Sequence, residues 1–558
     1  MMGPVVTHSE PHTMRFLPVN RNALLVELAD LDATLALLNA LQRQPIAGVE
    51  ELVPAARTIL VQFRPAAVTA AQIVRDIATR DISGRAERSD VLVEIPVHYN
   101  GEDLADVAEL LGISQEEVVR RHTGSEYTVA FTGFAPGFGY LVGGDPIFNL
   151  PRRSSPRTRV PAGSVALAGT FSAVYPQASP GGWQLIGVTD TPMWDLSREL
   201  PALLQPGYRV RFVDASKLAA ADSAATGAST TSPAPTATDT ANATGLKVRA
   251  TGLLTVFQDT GRHGQAGQGV SASGAMDQIA LKTGNRLVGN ASHLAALETV
   301  GGGLQLQSKG DTVIAVTGAN APITVTTAQG QRWPIERYTP VALADGDTLA
   351  IGQPTAGARC YVAVRGGFDV APVLGSCATD TLALVGPSAL KIGELLNVHT
   401  STRAAIVSNV ELAPDDLPTL EKDVVLDIEF GPRTDWFTPE AAALLTSQRW
   451  QVTPQSNRVG LRLNGDAPLT RTVSAELPSE GTPLGALQVP ANGQPVLFLA
   501  DHPLTGGYPV IACVAPHHLD LAGQIPVGAW LRFNAIRPFQ ELSAAADAPA
   551  ECNPPSKP

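Results

Sequence analysis

The sequence predicts a mainly β protein with α+β parts, built as two bodies on one tether. Three observations predict it. Glycine (51) and proline (44) are abundant against 5% aromatic residues, a composition of many turns and short strands. A glycine before a short apolar-alternating strand recurs at Gly207-Tyr-Arg-Val-Arg-Phe, Gly346-Asp-Thr-Leu-Ala-Ile, Gly393-Glu-Leu-Leu-Asn-Val and Gly528-Ala-Trp-Leu-Arg-Phe. Such an echo predicts recurring β-barrels, one before the tether and two after it, since closure removes exposed sheet edges. Asp214 to Gly245 is almost wholly Ala, Ser, Thr, Pro, Asp and Gly, so residues 215–245 cannot bury a core and form a flexible linker. At 558 residues several domains are required, because single cores stop growing near ~250–300 residues.

In order, residues 1–14 read as a disordered lead. Residues 15–90 read as a small α+β domain with helices on one side of a sheet. Its strands fall near Phe16–Pro18, Leu24–Leu28, Val49–Val53 and Thr58–Phe63. Its helices are one with Leu31, Leu35, Leu38 and Leu41 on one face and another near Val68–Ala78. Residues 91–214 open with an alternating strand and a capped helix, and Ser114 to Glu117 has capping-box form. In Tyr127–Gly143, Phe131, Phe134, Phe138 and Tyr140 alternate with Gly133, Pro136, Gly137 and Gly139. That is either a wall for a small ligand or a hydrophobic corner packing on its own barrel. Arg152, Arg153, Arg157 and Arg159 then form a basic cluster, able to bind carboxylate or phosphate or to lie in a solvated loop. Residues 246–541 are dense in strand-and-turn signals, and 542–558 read as a disordered tail.

Two stretches carry candidate chemistry. In Thr251–Asn290 a strand, Leu253–Phe257, runs into Gln258-Asp259-Thr260-Gly261-Arg262, placing a carboxylate and a guanidinium on one turn. Ser273-Gly274-Ala275-Met276-Asp277 supplies cap chemistry for a helix through Ala280, Leu281 and Leu287. This is a binding loop held between strand and helix, or a corner with a surface salt bridge. The second stretch is Asp501-His502-Pro503-Leu504-Thr505-Gly506-Gly507-Tyr508-Pro509. There His502 could act as general acid or base with Asp501 or Tyr508, or Asp501 could bond a local turn. Glu298 either points back toward Asp259 or ends a helix at the surface. His517-His518-Leu519-Asp520 reads as a helix start after Pro516, and no metal site is expected.

Other features exclude functions. A net charge of −12 argues against nucleic acid, which needs a basic footprint. No apolar run reaches the ~18 residues of a membrane span, and the first residues lack a signal peptide's basic and apolar regions, so a cytoplasmic protein is expected. Cys360, Cys377, Cys513 and Cys552 suit neither a zinc site nor a disulfide framework and are expected as free thiols. A P-loop, a G-x-S-x-G elbow and a biotinylation Met-Lys are all missing from the sequence.

Phe257 to Gly264, Ser273 to Asp277, Leu287 to Asn290, Gly431–Phe437 and Ser456–Leu463 resemble the C-type subunits of 5-oxoprolinase, also known as the biotin-dependent carboxyltransferase, allophanate hydrolase subunit 2 or Kip-antagonist family. Phe131–Leu141, Pro151–Val165 and Ser179–Gly187 resemble the B-type subunits of 5-oxoprolinase, the allophanate hydrolase subunit 1 or Kip-inhibitor family. The resemblance covers residues 15–214 and 246–539. It implies cyclophilin-like β-barrels in both halves, preceded by a small ferredoxin-like α+β domain. It implies the fused B and C subunits of an ATP-dependent 5-oxoprolinase that opens 5-oxo-L-proline to L-glutamate. A separate A subunit, ATP with magnesium in the complete complex, and an oligomer are expected with it. The alternative is a urea carboxylase type of carboxyltransferase, with biotin on a separate carrier and a biotin carboxylase as partner. A kinase-binding regulator is a third reading. The residues implied as catalytic are Asp259, Arg262, Asp277, Asp501, Thr505 and Tyr508. Position 502 is often not His in that family, which favours its neighbours. Substrate contacts are expected from Phe134, Pro136, Gly137, Tyr140, Arg152, Arg157, Arg159, Gln258, Ser273, Gly274 and Met276. Within these, Arg152, Arg157 and Arg159 would meet phosphoryl or carboxylate groups.

Overall fold

The computed structural model describes residues 14–82, 89–153, 155, 157–218, 244–399 and 411–544. The lead up to residue 13, linker residues 219–243, the tail from residue 545 and Cys552 lie outside them; Leu542, placed in the disordered tail by the sequence, pairs with Phe16, its N–H donating to the Phe16 carbonyl at 2.9 Å. Strands Arg15–Asn20 and Ala23–Glu27 form a hairpin, followed by helix Leu31–Arg43, strands Val49–Pro54 and Thr58–Phe63, and helix Ala70–Ala78. Asp30 caps the first helix by accepting the Ala33 N–H at 2.9 Å. Its buried face is Thr34, Leu37, Leu38 and Leu41, while Leu31 and Leu35 are only half-buried. The i, i+3, i+4, i+7 stripe is therefore displaced from the expected leucine set. Thr69 and Gln72 make a reciprocal capping box for the second helix. Taking the strands in chain order, the sheet runs 1-2-4-3, antiparallel throughout. This ββαββα order differs from the expected βαββαβ of a ferredoxin-like unit. The split βαβ is present, but the strand beside Ala23–Glu27 comes from the start of the domain instead of its end.

The next sheet is a barrel. Its order is Gln184–Val188, Ser164–Ala168, Phe171–Val174, Gly139–Val142, Tyr127–Thr132, Arg209–Asp214, Leu92–Val97. The two ends meet through His98 and Val188, which exchange N–H···O bonds of 2.8 and 2.9 Å. Helices Leu104–Leu111 and Gln115–Thr123 cover it. The Ser114 side chain accepts the Glu117 N–H at 3.2 Å. The Glu117 carboxylate goes instead to Arg120 and Arg121, so only half of the capping box is made.

After the linker, a five-stranded and a six-stranded sheet share one core that includes Phe257, Leu297, Val316 and Val362 from one and Val248, Leu306, Val325 and Leu349 from the other. Helix Gln278–Leu287 packs Ala280, Leu281 and Leu287 on the first of these sheets, against Ala296, Ala315 and Tyr361. A closed barrel follows, ordered Val424–Phe430, Val510–Val514, Ala486–Gln488, Val496–Phe498, Gly460–Asn464, Trp450–Val452, Trp530–Arg537.

The two barrels have the same strand order. In each, the first strand pairs in parallel with the last, Leu92 with Arg209 and Val424 with Leu531. Each carries a small two-stranded sheet at the same points of the chain, Arg157–Val160 with Ser179–Gly181 and Glu480–Gly481 with Thr505–Gly506. Gly181-Gly182-Trp183 thereby corresponds to Gly506-Gly507-Tyr508. The repeats at Gly207 and Gly528 are the last strands of these barrels. Those at Gly346 and Gly393 lead into Thr348–Ile351 and Leu395–Asn397 of the six-stranded sheet, so among the described residues one closed barrel, not two, follows the linker.

The small domain, first in sequence, packs on the last barrel. Leu17, Leu25 and Leu60 share a core with Ala486, Phe498 and Cys513. Above that core, Arg433 donates to Glu27 at 3.1 Å and to Glu480 at 3.0 Å, all three buried. Among the described residues no helix is long and apolar enough to cross a membrane. Cys360 and Cys513 are buried free thiols and Cys377 is half-buried; burial pushes the Cys360 thiol up to about 12.

Candidate active site at the junction of the two halves

Strand Leu254–Gln258 delivers Gln258 into the interior, where its Nε2 donates to the Thr379 carbonyl at 2.8 Å. Asp259 then accepts the Gly261 N–H at 2.8 Å, the Ser376 hydroxyl at 2.7 Å and the Cys377 N–H at 2.7 Å. It ties two loops together and makes no salt bridge with Arg262. The Arg262 guanidinium is buried and donates to the carbonyls of Ala378 and Val373. Burial lowers its pKa, against the pull of Asp380, Asp259 and Asp501. The turn closes tightly: Gly274 has φ +93°, and a Cβ there would lie 3.0 Å from the Gly261 backbone.

Asp501 is the hub. It is fully buried and accepts the Ser273 hydroxyl at 2.6 Å, the Thr381 N–H at 2.8 Å and hydroxyl at 2.7 Å, and Arg458 Nε at 3.0 Å and Nη2 at 2.9 Å. Burial opposes its ionisation, but Arg458 prevails and holds it below the ordinary carboxylate range. Arg458 also bonds Glu298 and, at 2.7 Å, the Gly274 carbonyl. Glu298 sits in strand Ala296–Val300, not at a helix end, and faces Arg458 instead of Asp259. It takes the Met276 N–H at 3.0 Å and the Tyr361 hydroxyl at 2.7 Å. Beside the hub, Asp380 accepts from Ser271 Oγ at 3.0 Å and from the N–H groups of Leu382 and Ala383. Burial and the nearby Asp501 push it up to about 6. Asp277 is also pushed up to about 6 by burial, but it is the N-cap of helix Gln278–Leu287 and is bonded to Gln524.

The other expected residues divide. Both ring nitrogens of His502 face backbone carbonyls, Leu499 at 2.9 Å and Thr482 at 3.1 Å, and burial lowers its pKa. That leaves no face for acid–base work. Tyr508 is 45% exposed with Arg471 over its ring, so the phenol does not converge on Asp501. Thr505 is buried, with Oγ1 unpaired. The Phe134–Tyr140 loop takes the packed-corner form: Phe138 and Tyr140 are buried among Tyr175 and Trp183, and Pro136 and Gly137 are buried. The arginine cluster splits. Arg157 pairs with Asp103 at 2.7 Å, Arg153 joins the same carboxylate, Arg152 reaches Glu476 at 2.8 Å, and Arg159 is exposed. A single phosphate cradle of these arginines does not form.

The halves meet at this centre. Thr132 Oγ1 donates to the Gly267 carbonyl at 2.9 Å, Gly137 N to Gln268 at 3.0 Å, and Gln177 Nε2 to Leu382 at 3.2 Å. A cavity of about 400 Å³ between Leu38, Leu41, Ile46 and Glu51 of the small domain reaches Gly264, Ala266 and Gly267 of the same loop. A group with metal-ligand spacing, Asp427 with His517 and His518, belongs to the Val424–Phe430 strand and the Pro516–His518 turn, separate from this centre.

Residues 268–535 match the family described as carboxyltransferase domain, subdomain A and B, and residues 14–204 match carboxyltransferase domain, subdomain C and D. The C-type subunit of 5-oxoprolinase from Escherichia coli K12 is 35% identical over 54% of this chain and 94% of its own length. The chain belongs to the carboxyltransferase-domain family of the 5-oxoprolinase B and C subunits. The B-type subunit of 5-oxoprolinase from Escherichia coli O157:H7 is 44% identical over 30% of this chain and 78% of its own. The two relatives match different halves, so this family member is a B/C fusion. Urea amidolyase of Saccharomyces cerevisiae is 33% identical over 52% of the chain but only 16% of its own length. The crystal structure of TTHA0988 resembles the fused chain as a whole, with a TM-score of 0.77 at 33% identity, covering 92% of this chain and 99% of that one.

Sequence reasoning named Asp259, Ser273 and Asp501 and missed Asp380, Arg458 and Tyr361. Arg458 lay inside a recognised stretch, Ser456–Leu463, without a role. Asp380, a lone carboxylate beside Ala383 and Val385, carries the one readable signal: an acid in an apolar run is costly unless it is satisfied.

Proposed function

We propose that this protein is the fused B and C component of an ATP-dependent 5-oxoprolinase, hydrolysing 5-oxo-L-proline to L-glutamate with a separate A subunit. One observation carries the reading: each half matches a different component of the same system over most of that component's length, and the halves close on one buried polar centre. A lactam is a resonance-stabilised amide. Phosphorylating its carbonyl oxygen makes the ring carbon open to water; the C–N bond then breaks, nitrogen takes a proton, and a second water releases phosphate from the resulting acyl phosphate. Within this chain Asp380 is suited to move that proton, because burial and Asp501 push it up to about 6 and the Ser271 hydroxyl donates to it. Asp501 and Arg458 hold the loops in register. We assign ATP and its magnesium to the A subunit. A triphosphate needs uncommitted cations, and Arg152, Arg153, Arg157 and Arg458 are committed to carboxylates.

The test is glutamate release from 5-oxoproline and ATP by the purified chain, with and without the A subunit. Release that needs both proteins and loses its titration near pH 6 in Asp380→Asn is the expected result; no release under either condition rejects the reading. The second reading is carboxyl transfer from carboxybiotin to urea, favoured by the carboxyltransferase descriptions and the urea amidolyase relative. Carboxybiotin-dependent consumption of urea distinguishes it.

A further inference from the structure

Two side chains of the Gln258–Arg262 turn leave polar atoms without partners. Arg262 is 2% exposed and Gln258 0%, yet Arg262 Nη1 and Gln258 Oε1 have no hydrogen-bond partner. Native interiors rarely tolerate this, and each such atom calls for an explanation. Among the described residues no carboxylate lies within ion-pairing distance of Arg262, although Asp259, Asp380 and Asp501 all act on it from farther away. The rest of each side chain is firmly held. Arg262 Nη2 bonds the carbonyl of Ala378, and Gln258 Nε2 bonds that of the next residue, Thr379. The two orphan atoms thus belong to one corner, anchored on consecutive peptide groups. That corner is close to solvent along the chain, since His263, Gly264 and Gly375 are exposed.

One atom is a cationic N–H donor and the other an amide acceptor. A ligand that satisfies both presents an anion and an N–H donor a short distance apart. Resting on the 5-oxoprolinase reading, we infer that Arg262 Nη1 receives the carboxylate of the substrate and Gln258 Oε1 the lactam N–H. In 5-oxoproline these two groups are attached to the same carbon, as binding to one corner requires. The pair would read the substrate as a cyclic amino acid, leaving its ring carbonyl on the far side of the ring nitrogen for activation. Arg262 and Gln258 are then specificity residues, and Asp259, which bridges the turn to Ser376 and Cys377, positions them.

The experiment is binding to the full-length chain, with the A subunit present, of three probes. These are 5-oxoproline, 2-pyrrolidinone, which lacks the carboxylate, and cyclopentanecarboxylate, which lacks the lactam. Sites built to hydrogen-bond a group reject ligands without it strongly, so the unmodified chain should prefer 5-oxoproline over either analogue by about 100-fold or more. Arg262→Gln should abolish the preference over 2-pyrrolidinone, with Arg262→Lys keeping part of it. Gln258→Leu should abolish the preference over cyclopentanecarboxylate. If the two side chains simply satisfy each other, the variants lose thermal stability and the preferences survive, which overturns the inference alone. An unmodified chain that binds the three probes alike overturns it without any variant. A chain that binds none of them and releases no glutamate overturns the 5-oxoprolinase reading as well.

Discussion

Arg458 grips Asp501 with two hydrogen bonds, from Nε at 3.0 Å and Nη2 at 2.9 Å, while its remaining nitrogen reaches Glu298. One guanidinium therefore neutralises two buried carboxylates from different elements, the strand Ala296–Val300 and the loop after Val496–Phe498. Arg458→Met leaves Asp501 buried without its cation and leaves Glu298 with Arg359 alone, 3.6 Å away. Loss of one partner from such a pair costs about 3–5 kcal/mol, so urea unfolding should show a fall of that size. Adding Asp501→Asn and Glu298→Gln should recover part of it.

Gly133 belongs to the first barrel and Thr505 to the second, and a Cβ on Gly133 would lie 2.4 Å from Thr505 Oγ1. Gly133→Ala should destabilise the chain, and Thr505→Ala in the same molecule should relieve part of the loss. Residues in contact couple by about 0.5–3 kcal/mol. A double-mutant cycle by thermal unfolding measures this, and strict additivity would mean that the barrels do not touch there.

The buried Arg433 joins Glu27 of the small domain to Glu480 of the last barrel. Cleavage at a protease site placed within residues 219–243 should leave the two pieces co-eluting in size-exclusion chromatography. Arg433→Ala leaves Glu480 buried without its cation, while Glu27 keeps Arg15 and Arg57; the loss is about 3–5 kcal/mol, and the cleaved pieces of that variant should separate more readily.

Asp277 titrates at about 6 in the folded protein against about 3.9 in an unfolded chain. The folded state thus favours the protonated acid. Its contribution is fully present below about pH 4, falls as pH rises to about 6 and is constant above that, a total of up to roughly 3 kcal/mol. Asp277→Asn should flatten that segment of the stability–pH curve while keeping the helix cap, with the share due to Asp380 left in place. Thermal unfolding across pH 3.5–8 gives the comparison.

What the sequence made legible was local. The turn from Gln258 to Arg262, the cap at Asp277 and the strand-helix pattern of the small domain are contiguous, and their turn and cap chemistry reads directly from the residues. The partners that complete the site are not contiguous. Ser273 and Asp501 are 228 positions apart, and Arg458 and Glu298 are 160. Periodicity says nothing about which distant loop a carboxylate meets, so Asp259 looked like half of a salt bridge when its partners are Ser376 and Cys377. Charge density misled in the same way at Arg152–Arg159, because Asp103 and Glu476, far off in sequence, absorb those charges. Asp380 was missed because a single acid carries no spacing to recognise, only the cost of its apolar neighbours.

The matched strand order of the two barrels has an evolutionary consequence. A shared order of seven strands, with the same first-to-last parallel pairing, is the pattern that duplication of one gene segment leaves. Counted back from Gly139 and Gly460, which open equivalent strands, Arg458 corresponds to Gly137; counted back from the paired-glycine turns, Asp501 corresponds to Pro176. At these two positions the second barrel carries the charges of the centre, and the first carries a glycine and a proline. Compared position by position, the two barrels separate what the shared strand order requires from what the centre requires.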